Sequence, residues 1–161
     1  MEEKVQDSKV QPETELQIIE RLSGTQENSC ACAKCKSYCH KVPCIGTPQD
    51  MLKIAEAGYG DRIGGTLWLA GIPMGLEPIA IVAPLFDQEK SRCTFLTDDD
   101  LCELHDKGLK PTEGRLSTHE HLDYTEIKDK FPVTGVVAFT WQVDRNAEII
   151  KKILAYLRNA N

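Results

Sequence analysis

The sequence predicts an α+β fold: a single irregular domain organised around a cysteine-rich loop. Three observations lead there. Apolar residues recur at helical spacing near both ends, β-branched and aromatic runs lie between them, and CACAKCKSYCHKVPC (30–44) places five cysteines in fifteen residues. At 161 residues the chain is long enough to bury one core. Its 41% hydrophobic and 27% charged residues are ordinary for a globular protein.

Residues 1–12 read as a flexible tail, polar and without periodicity, which leaves 13–161 as the domain. From Glu13 to Leu22, the positions of Leu16, Ile19 and Leu22 suit one face of a short helix closed by Gly24. After the cysteine loop, Thr47-Pro48-Gln49-Asp50 is a helix start. Thr47 can cap, proline suits the first helical position, and Asp50 can return a hydrogen bond. Met51, Leu52, Ile54 and Ala55 follow as its apolar face, and Gly58 marks the exit. TLWLAGI (66–72), PIAIVAPLF (78–86) and VVAFTWQV (136–143) are expected as strands, being rich in β-branched and aromatic residues and bounded by Gly or Pro. From Asn146 the period changes. Ile149, Ile150, Ile153, Leu154 and Leu157 share a helical face opposite Lys151, Lys152 and Arg158, predicting a C-terminal helix packed on the sheet or on the first helix. Trp68 and Trp141 are expected as core anchors.

Charge and patterning exclude several classes. The net charge is −6, the pI is near 5.2, and no Lys/Arg run offers the basic footprint that phosphate binding needs, so no nucleic-acid partner is expected. No apolar run approaches the roughly 18 residues of a membrane-spanning helix, so no membrane partner is expected either. The N-terminal MEEKVQDSKVQPETE lacks the basic and apolar regions of a secretory signal. A cytoplasmic location follows, where thiols stay reduced. An odd count of seven cysteines also forbids complete intramolecular pairing.

Metal ligation is therefore the favoured use of the thiols. In Cys32-Ala-Lys-Cys35, two sulfurs can converge on one ion when the loop turns back, and zinc accepts such thiolates tetrahedrally. Cys39 and Cys44 follow closely. Cys93 and Cys102 form a second knuckle across the expected Thr97–Asp100 turn. A local loop plus a distant pair would let one ion tie remote segments together. A thioredoxin-like redox pair is disfavoured, because the CxxC has no expected strand before it or helix after it. Cys30 joins the site only if the chain bends between it and Cys32, since an extended backbone would point the two side chains apart. A thiol standing beside the site is the alternative. Zinc leads, with iron or an iron–sulfur cluster as the alternative. CxxCxxxCxxxxC departs from the C-x2-C-x2-C run of bacterial ferredoxins.

CAKCKSYC (32–39), TPQDMLKIAEAG (47–58), CTFLTDDDLCELH (93–105) and KPTEGR (110–115) fall in the order seen in a zinc- or iron-chelating family with a CxxCxxCC signature. Over roughly residues 30–121 the chain resembles these YkgJ-like cysteine-cluster proteins. The resemblance implies metal chelation and carries over Cys32, Cys35, Cys39, Cys93 and Cys102 as ligands. Cys30 and Cys44 enter as substitutes on spacing alone. Tyr38 stands where the family's adjacent pair has its first cysteine, Gly114 where its last cysteine falls, and His105 where it has a tyrosine.

The remaining groups carry less. His40 and His105 have ligand-compatible spacing but read more simply as solvent-facing or hydrogen-bonded side chains, and His119 and His121 as part of a polar surface loop. Asp98–Asp100 lacks the alternation of a calcium loop and reads as a solvated turn. The glycines after residue 58 form neither a dinucleotide fingerprint nor a phosphate loop, and no nucleophile elbow appears. A metalloenzyme would need an open metal position and a base such as His105 or Glu103, which makes it weaker than a metal-binding module with a protein partner or an iron–sulfur electron carrier.

Overall fold

The computed structural model describes residues 11–28, 30–117 and 131–160. Helices and two small antiparallel sheets share one core, so the fold is α+β as expected. His119, His121 and most of the expected tail lie outside the described residues.

Helix α1 is Glu15–Ser23. Thr14 and Gln17 form its capping box, and Gly24 closes it at φ 70°, a conformation that costs only glycine little. Helix α2, Ala33–Tyr38, rises directly out of the cysteine loop. Helix α3, Pro48–Ile54, starts as its sequence dictates, with Thr47 accepting from the Asp50 N–H, the Asp50 carboxylate accepting from the Thr47 N–H, and proline in the first turn. It runs into a π-helical turn, Ala55–Tyr59, which breaks at Gly58 (φ 93°).

Strand β1 (Ile63–Trp68) pairs antiparallel with β2 (Ile79–Pro84), from Ile63 opposite Pro84 to Trp68 opposite Ile79. The first strand therefore begins earlier than expected and ends at Trp68. Beyond it the chain turns under the indole, where a Cβ on Gly71 would stand 2.6 Å from Trp68 Cζ3. The second sheet is short: β3 (Phe86–Asp87) pairs with β4 (Arg92–Cys93). Helix α4 is Thr112–Leu116.

One expected strand is a helix. VVAFTWQV lies in α5, Val133–Phe139, and the 3-10 turn Thr140–Gln142 that continues it. Val133, Val136, Val137, Thr140 and Trp141 are buried, and that spacing is a helical stripe starting after Pro132. The β-branched residues misled because burial outweighs intrinsic preference. Helix α6, Ala147–Asn159, matches the expected C-terminal helix but packs chiefly on α3, rather than on the sheet or on α1.

Ile19, Met51, Ile54, Ile79, Phe95, Leu104, Leu116, Val137 and Ile153 form the innermost core. Each such side chain contributes about 1.5–3 kcal/mol on burial. Both tryptophans anchor as expected. Trp68 donates from Nε1 to Thr134 Oγ1 (2.9 Å) and Trp141 to the Gly46 carbonyl (2.9 Å). Asp50 fastens α3 to α4, since its Oδ2 also accepts from Thr112 N (2.9 Å) and Thr112 Oγ1 (2.6 Å).

Candidate metal centre

Cys32 is the N-cap of α2 (φ −66°, ψ 162°) and Cys35 sits in the first helical turn. A helix therefore does follow the CxxC, contrary to expectation. A cap residue and the third residue of a helix lie on the same side of its N-terminus. The chain before the cap bends, so Cys30 comes to that side too. The sulfurs of Cys30, Cys32 and Cys35 lie within 4.8 Å of one another. Sulfurs sharing a tetrahedral zinc at about 2.3 Å stand about 3.8 Å apart, so a small contraction would complete the geometry. Among the described residues this is the one group of three or more Cys, His, Asp or Glu so close together.

Cys30 and Cys35 are half-buried and Cys32 is exposed. The Cys32 sulfur lies in the field of the helix N-terminus. The Cys35 backbone N–H, helped by the Cys30 and Cys35 thiols and the Lys34 N–H, outweighs desolvation and brings its pKa down to about 6. At neutral pH it is largely thiolate, the form that binds metal.

No family model, curated protein or solved structure matches this chain.

The other four thiols are arranged differently. Cys39 ends α2, and its carbonyl accepts from the Cys93 N–H (2.8 Å), which joins the two cysteine segments through their backbones. Its thiol hydrogen-bonds to that of Cys44. This lowers the pKa of Cys39, while the same contact, with burial, raises that of Cys44 well above its usual value. Burial pushes Cys93 up to about 12 and raises Cys102. The two cysteine segments meet through this backbone hydrogen bond, and the close trio comes from the first segment.

A cavity of about 330 Å³ runs along this junction, with Cys30, Cys35, Cys39, Cys44 and Cys102 in its wall beside Lys36, His105 and Lys110. Tyr38 and Gly114 also line it. Tyr38 donates from its hydroxyl to Glu113 Oε1 (3.4 Å). A Cβ on Gly114 would stand 3.2 Å from Cys44 Sγ.

His40 is hydrogen-bonded to Asp100 (Nε2 to Oδ1, 2.6 Å), and Asp98 pairs with Arg92 (2.5 Å), so the acidic run is a paired, exposed turn. Glu103 is a poor base. Arg62 first and Lys107 second hold its pKa down to about 2.

Sequence reasoning missed Glu113. It is buried (4% exposed) in α4, accepts from the Ile45 N–H through Oε2 (2.6 Å), and burial pushes its pKa up to about 7. Among the described residues no other charged side chain is buried. The stretch KPTEGR carries no local sign of this, because the burial comes from residues far off in sequence.

Proposed function

We propose that this chain is a metal-binding protein whose Cys30, Cys32 and Cys35 hold one zinc ion as thiolates, in a structural or interaction module. The observation that carries the reading is the approach of those three sulfurs to within 4.8 Å of one another. Soft thiolates suit zinc and iron alike. A single tetrahedral zinc is the leading reading, with an iron–sulfur cluster as the alternative. The resemblance to the YkgJ-like proteins supports chelation and would widen the set to Cys39, Cys93 and Cys102.

A structural role follows from α2 itself. The helix has six residues and none is fully buried, too short to hold its shape in water unaided. An ion bound across its N-cap and first turn would supply what the core does not. The fourth tetrahedral position falls to water or to a donor from a partner protein, since Cys32 faces solvent.

The test is anaerobic purification without a histidine tag, with zinc, iron and acid-labile sulfide measured per chain. The expected result is about one zinc and no sulfide. Substituting Cys35 with serine should abolish binding, whereas Cys93→Ser should leave it. Iron with sulfide selects the cluster, zinc lost equally in both variants selects the wider ligand set, and a metal-free wild-type protein rejects chelation.

A further inference from the structure

We propose that Cys39 and Cys44, apart from the zinc trio, form a thiol–disulfide exchange pair whose substrate is a low-molecular-weight disulfide admitted through the adjoining cavity. The inference goes beyond metal binding and does not depend on it.

The two thiols are hydrogen-bonded to each other across a turn closed by Lys41 N and Val42 N donating to the Tyr38 carbonyl (2.9 and 3.1 Å). Sulfurs already in contact need only a short approach to the roughly 2.05 Å of a disulfide. Both line a cavity of about 330 Å³ whose wall includes the exposed Asp100, Leu101 and His105, so a small molecule reaches them from solvent. The room is of the order that ligand sites provide.

Lys110 lines the same cavity wall as the two thiols. Glu113 is close to Cys44 by two routes: its carboxylate holds the N–H of the next residue, Ile45, and its neighbour Gly114 backs onto Cys44 Sγ.

The steps balance. The Cys39 thiolate attacks one sulfur of the substrate; the substrate's S–S bond breaks, and the departing thiolate takes a proton from water. Cys44 then passes its proton to the Glu113 carboxylate and attacks the Cys39 sulfur. That expels the second thiolate, which takes a proton in turn. Two protein thiols are oxidised and one small disulfide is reduced to two thiols.

The test uses the full chain as purified, with reductant removed anaerobically. It is titrated with mixtures of reduced and oxidised glutathione, quenched with N-ethylmaleimide and mapped by mass spectrometry, with zinc measured in parallel. The expected result is a reversible Cys39–Cys44 disulfide with bound zinc unchanged. In Cys44→Ser, a glutathione adduct should accumulate on Cys39, and in Glu113→Gln the same adduct should persist at least several-fold longer than in the wild type. Cys39 and Cys44 staying reduced across the titration would overturn the proposal, as would zinc leaving in step with their oxidation. An adduct lifetime unchanged in Glu113→Gln removes Glu113 from the path. Absence of zinc from the protein would reject the metal reading and leave this one standing.

Discussion

Replacing Glu113 with glutamine removes a buried charge problem whose size the structure sets. The Glu113 carboxyl moves from its ordinary 4.5 to about 7, because burial outweighs the help of the Ile45 N–H and the Tyr38 hydroxyl. At about 1.4 kcal/mol per pH unit, that displacement corresponds to about 3 kcal/mol. The sign follows from proton counts. Below pH 4.5 the residue is protonated in both folded and unfolded chains and costs nothing. Between pH 4.5 and 7 the unfolded chain ionises while the folded one holds its proton, so stability falls as pH rises; above about 7 the full penalty stands. The glutamine variant keeps an acceptor for the Ile45 N–H and has no such titration. Urea unfolding of both proteins at pH 5 and pH 8, under reducing conditions with chelator, isolates the effect, because cysteine titrations common to both cancel in the difference. The variant should gain about 2–3 kcal/mol on the wild type between the two pH values. A difference below about 0.5 kcal/mol would mean that Glu113 is not buried as described.

Three further outcomes are expected. Asp50→Ala removes an acceptor serving Thr47 N (3.0 Å) and both Thr112 donors; it should cost about 2–3 kcal/mol in urea unfolding, and Asp50→Asn less. Phe95→Ala deletes a ring that is 1% exposed, with the Arg62 guanidinium 4.0 Å from its centroid and Tyr59 edge-on at 5.6 Å, and should cost about 3–5 kcal/mol. Chelating the metal should raise amide exchange in residues 33–38 and leave Met51–Ile54 and Val136–Ala138 protected, as followed by hydrogen-exchange mass spectrometry.

Features that depend on a few neighbouring residues were legible in the sequence. The Thr47–Asp50 capping box, the Gly24 stop and the C-terminal helix need only local chemistry, and all three stand in the structure, although Leu154 of the expected apolar face is exposed. Residues 136–143 were not, because valine and phenylalanine describe a buried strand and a buried helix equally well, and what decides is the packing against α1 and the sheet. The cysteine spacing advertised a candidate metal site, yet which sulfurs meet depends on Cys32 capping α2, six residues with no apolar stripe to reveal them. Glu113 left no trace at all, since its surroundings are assembled from Tyr38, Ile45 and the thiols.

The bare backbone at Gly114 has a consequence for how this chain can vary. A Cβ there would stand 3.1 Å from Lys110 Cε and 3.2 Å from the Cys44 sulfur, so any side chain at 114 asks the lysine and the thiol to give way by a few tenths of an ångström. Two residues remote along the chain thus share one small space.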